Sequence, residues 1–101
     1  MRLSPAHIDA ILQVTQQVVG PSARIVLFGS RTNDDLRGGD VDLMIEVKDE
    51  VAEPALVMAR IASRISRRMD GRKVDVLLKA PNLSIQPIHA VAEQTGIVLC
   101  G

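Results

Sequence analysis

Apolar residues recur along this chain at two different spacings, and the switches between them set out its elements. Ile8, Ile11, Leu12, Val18 and Val19 repeat at helical spacing, with Thr15 the one polar member of the stripe. Ser4-Pro5 supplies a cap and a first-turn proline, and Gly20-Pro21 supplies a stop. Arg24 to Phe28 is a short β-branched and apolar run, which predicts a buried strand ended by Gly29. After a polar stretch and Gly38-Gly39, the period changes to two. Val41, Leu43, Ile45 and Val47 share one face of a strand, and Asp42, Met44 and Glu46 share the other.

Pro54 opens a longer helix to Met69, whose core stripe is Met58, Ile61, Ala62, Ile65 and Met69. Asp70-Gly71 ends it, and Val74 to Leu78 forms a third strand. A helix from about Ile85 to Gln94 tolerates Pro87 in its first turn. Gly96 closes it, and Ile97 to Leu99 forms a last strand. The order predicts an α/β (α+β) fold: one small domain over 1–101, a mixed sheet of about four strands packed by helices.

Composition narrows the function. A chain of 101 residues with 47% apolar content is long enough for one core. The single Cys100 excludes a disulfide framework and a cysteine-based zinc site. The sequence has no run long enough for a membrane span and no signal-peptide core, so the expected location is cytoplasmic. Phe28 is the only aromatic residue, so stacking on bases, and with it direct nucleic-acid binding, is not expected. Charge is balanced overall but divided along the chain. Eight acids face two bases between Asp34 and Glu53, and seven bases face two acids between Arg60 and Lys79. Arg60, Arg64, Arg67 and Arg68 gather on one helix face, which reads either as a solvated surface or as a docking face.

Three elements carry candidate chemistry. Gly29-Ser30 follows a strand, where a glycine admits close backbone approach and Ser30 can cap a following helix whose free N–H groups suit phosphate. Alone, the pair equally describes an ordinary strand–turn–helix cap. After nine intervening residues comes Asp40-Val41-Asp42, with both carboxylates on one face of a strand. Two such groups repel unless a cation lies between them, and an oxygen-only site suits Mg²⁺ or Mn²⁺. Asp75 interrupts the apolar strand Val74 to Leu78 and can face the other two if the strands pair. If buried, it needs a metal or a basic partner such as Lys73 or an arginine. His7 and His89 lack metal-ligand spacing, and His89 reads as a helix-surface residue.

Phe28-Gly29-Ser30, nine residues, Asp40-Val41-Asp42-Leu43 and the later Asp75 together resemble the nucleotidyltransferase superfamily that includes DNA polymerase β. Gly29-Ser30-Arg31 and the short length are similar to the minimal nucleotidyltransferases of prokaryotes. The resemblance implies that Asp40, Asp42 and Asp75 hold two Mg²⁺ ions and are catalytic. It implies that Gly29, Ser30 and Arg31 bind the nucleotide, ATP. Gly39 stands where many relatives carry serine before the first aspartate. The resemblance further implies an antitoxin that transfers AMP to a HEPN-domain toxin. Two other readings remain: a binding module that neutralises its partner stoichiometrically, and a subunit acting on a small molecule. The short length is expected to leave no acceptor-binding domain, which argues against the small-molecule reading.

Overall fold

The computed structural model describes residues 4–28 and 41–100. Its elements, in chain order, are α1 (Pro5–Val19), β1 (Arg24–Phe28), β2 (Val41–Glu46), α2 (Pro54–Arg67), β3 (Val74–Lys79), α3 (Pro87–Thr95) and β4 (Ile97–Cys100). Ser4 caps α1 by accepting the His7 N–H at 3.1 Å, so the predicted cap is used. α2 is followed by Asp70 and Gly71 at φ 59° and 79°, a left-handed exit that turns the chain into β3. α3 starts two residues later than the apolar spacing suggested. Gln86, immediately before Pro87, is extended at φ −119° and ψ 162°, as a residue preceding proline favours.

The four strands form one sheet in the order β3-β2-β1-β4. β1 is antiparallel to β2 and to β4, whereas β2 and β3 are parallel and are joined by the crossover helix α2. The expected mixed sheet is thus present. One face carries Ile25, Leu27, Val41, Leu43, Ile45, Val74 and Leu78, packed beneath Ile11 and Val14 of α1 and Ile61 and Ile65 of α2. The alternate residues form the other face. There Val26, Phe28 and Met44 pack with Ala92 of α3. The two-residue period therefore sorts one strand sequence into two different surroundings.

Two positions show how closely these layers fit. Gly96 joins α3 to β4 where a Cβ would lie 2.2 Å from Val26 Cγ1 and 2.5 Å from the Ala92 carbonyl oxygen. Thr15 is fully buried, and its Oγ1 has no hydrogen-bond partner among the described residues. Gly96→Ala is therefore expected to cost about 1–3 kcal/mol through overpacking. Thr15→Val is expected to gain about 1 kcal/mol by removing an unpaired hydroxyl. Urea unfolding of both variants checks the two opposite signs.

Candidate active site

The register of the parallel pair decides what meets at one end of the sheet. Asp42 is the Cα partner of Asp75, and Val41 is the partner of Val74. Adjacent strands lie about 4.8 Å apart, and directly paired residues point to the same face. Two acids from distant parts of the sequence thus share one spot. β1 ends beside them, because Phe28 is the antiparallel partner of Asp42. The backbone ladder continues to this end through the Val41 N–H, which donates to the Lys73 carbonyl at 2.9 Å.

A groove of about 710 Å³ opens here. Asp42 and Asp75 line it, Phe28 closes one side, and Val76, Leu77, Pro87, Ile88 and Val91 form apolar walls. Ile88 and Val91 remain 45% and 48% exposed, so α3 presents apolar surface to the groove rather than to a core. Asp42 is half-buried and Asp75 is exposed. The burial that would have required a partner for Asp75 is thus not found. β3 is an edge strand, and the apolar neighbours Val74 and Val76 alternate to the opposite face. Exposure removes the desolvation cost that would have demanded a partner.

Asp40, Gly29, Ser30 and Arg31 lie outside the described residues. Of the predicted site residues, Asp42 and Asp75 are described, and they are brought together. Among the described residues no group of three His, Cys, Asp or Glu side chains is gathered as for a metal ion. Two adjacent carboxylates, reachable from solvent and offering only oxygen, nevertheless match the ligand preference of a hard divalent cation.

The same sheet face carries a second polar group at its other end. Arg24 of β1 donates to Glu93 of α3 and, at 3.4 Å, to Glu46 of β2. Lys79 of β3 reaches Glu93 at 3.2 Å and Glu46 at 3.8 Å. Hydrogen bonds from Arg24 and then Lys79 hold the Glu93 carboxyl below the ordinary glutamate value, and the Glu93 contact raises Arg24. The sequence reading did not single out this group, although Asp42, Glu46, Asp75 and Lys79 share the alternating face. His89 was misplaced outright. It is 4% exposed, not a surface residue, because α3 turns it onto β3. Its Nδ1 accepts the Gln86 N–H at 2.9 Å, and its Nε2 lies 3.2 Å from the Leu78 carbonyl oxygen.

Residues 8–95 match the nucleotidyltransferase domain family. The chain belongs to that family. No curated protein sequence matches it. A crystal structure of a toxin–antitoxin with AMP-PNP superposes on this nucleotidyltransferase chain with a TM-score of 0.70 at 20% identity. The match covers 93% of this chain and 73% of that one, and it shows a shared fold. No helix among the described residues is long and apolar enough to cross a membrane.

The depressed Glu93 carboxyl stabilises the fold above the ordinary glutamate range, near pH 4.3, and that contribution is lost as pH falls through the lower folded value. The side chain is 35% exposed, so solvent screening keeps the effect below about 1 kcal/mol. Glu93→Gln should therefore flatten the fall in melting temperature below about pH 4.5 and leave the neutral-pH plateau nearly level.

Proposed function

We propose that this nucleotidyltransferase moves AMP from ATP onto a hydroxyl of a partner protein, and that the groove beside Asp42 and Asp75 is where it does so. The pairing of those two carboxylates across β2 and β3 carries the reading. In the proposed mechanism Asp40, Asp42 and Asp75 hold divalent cations, Mg²⁺ or Mn²⁺. Held by these residues, such ions would neutralise triphosphate charge and stabilise the attacking and leaving oxygens. Gly29, Ser30 and Arg31, which follow β1 at Phe28, receive the triphosphate. The acceptor oxygen bonds to the α-phosphorus, the bond from that phosphorus to the bridging oxygen breaks, and pyrophosphate leaves. Asp75, the more exposed carboxylate, takes the hydroxyl proton.

The acceptor is proposed to be carried by another chain, a HEPN-domain toxin, with this protein as its antitoxin in the cytoplasm. The toxin–antitoxin crystal structure of the same fold supports that setting. Docking is assigned to the exposed arginine stripe of α2, where Arg60, Arg64 and Arg67 line a shallow hollow with Leu56, Ala59 and Ser63. Arg68 is engaged elsewhere, since its Nη1 donates to Gln13 Oε1 at 3.0 Å.

Mg²⁺ and ATP together should raise the melting temperature, by roughly 2.7 kcal/mol of stability at 100 times the dissociation constant. Asp42→Asn should lose most of that gain. Asp75→Asn should keep more of it while losing transfer, because its role lies in the transition state. Mass spectrometry of the co-expressed partner should show added AMP with the wild type only. Full neutralisation by Asp40→Asn/Asp42→Asn, with no mass change in any sample, would instead identify a stoichiometric binding module.

A further inference from the structure

α3 forms one wall of the groove and is fastened to the sheet by few links. It has nine residues, and only His89 and Ala92 are buried. Close approach at Gly96 fixes its C-terminal end against β1. Toward β3 the links are polar. His89 directs Nε2 at the Leu78 carbonyl, and its Nδ1 takes the Gln86 N–H, which places the ring hydrogen on Nε2. One turn later Glu93 takes Lys79 of β3 and Arg24 of β1, and Glu46 of β2 faces both cations.

The opposite walls of the groove belong to the two elements that these links join. Pro87, Ile88 and Val91 come from α3, and Asp75, Val76 and Leu77 come from β3. The spacing between the walls thus follows from how far the links let α3 stand from β3. Single exposed ion pairs add about 0–1 kcal/mol each, so this group is a poor choice for stability alone. Four charges of alternating sign, drawn from three strands and one helix, are better suited to fixing a position.

We propose that Glu93, held between Arg24 and Lys79, is a positioning residue for nucleotidyl transfer. It acts through α3, setting the width of the groove and so the seating of the nucleotide beside Asp42 and Asp75. The inference rests on the reading of that groove as the transfer site.

The test compares wild type with Glu93→Gln, Lys79→Met, their double variant and Lys79→Arg. Steady-state transfer gives KM for ATP and kcat, and amide hydrogen exchange gives the protection of residues 88–95 and of the sheet. Each single variant should raise KM three- to tenfold with kcat within twofold. The double variant should do no worse than the stronger single, and Lys79→Arg should stay near wild type. Exchange should quicken in α3 while β1 and β2 keep their protection. Unchanged KM, or parallel losses of kcat and sheet protection, would overturn the proposal. Exchange does not depend on turnover. Faster α3 exchange in Glu93→Gln, beside a wild type that transfers nothing, would overturn the transfer reading, and the role for Glu93 with it, while leaving the clamp intact. Unchanged α3 exchange would overturn the clamp itself.

Discussion

The parallel pairing of β2 with β3 is the constraint on which the rest depends. Parallel neighbours need a crossover, and α2 supplies it while covering one face of the sheet. The register then fixes what lies on the uncovered face. A slip of one residue would send Asp75 under α2 and bring Val74 or Val76 beside Asp42. The apolar alternation of β3 prevents that slip, because Val74 and Leu78 must stay in the main core. Core packing and acid placement are therefore one requirement.

The face carrying the acids divides into three zones along the strands. Asp42 and Asp75 occupy one end beside Phe28, an apolar middle of Val26, Met44 and Leu77 lies under Ala92, and Arg24, Glu46 and Lys79 occupy the other end with Glu93 above them. α3 spans the last two zones and leaves the first open. The result is a groove with an acidic end and apolar sides.

Most elements were legible in the sequence, because they carry apolar stripes or runs and most of them are bounded by Gly, Pro or Asp-Gly. The carboxylates were legible as a pattern, since Asp40 and Asp42 alternate with Val41 and Asp75 breaks an apolar run. Their adjacency was not legible, because strand order and register arise from tertiary packing. The same gap explains the rest. The apolar neighbours of Asp75 left its burial open, and its exposure follows from β3 lying at the sheet edge with that side turned to the groove. His89 looked exposed because it is a polar residue in a short helix, and nothing local reveals the Leu78 carbonyl that receives it. The Arg24 to Glu93 link spans most of the chain, so only the folded sheet brings it together.

The account stands on Asp42 and Asp75 acting as one cation-holding pair. Electron paramagnetic resonance of Mn²⁺ titrated into the protein with a non-hydrolysable ATP analogue measures this directly. The account predicts saturable binding by the wild type, at least tenfold weaker binding in Asp42→Asn/Asp75→Asn, and an unchanged fold by circular dichroism. Equal Mn²⁺ affinity in the wild type and the double variant would contradict it.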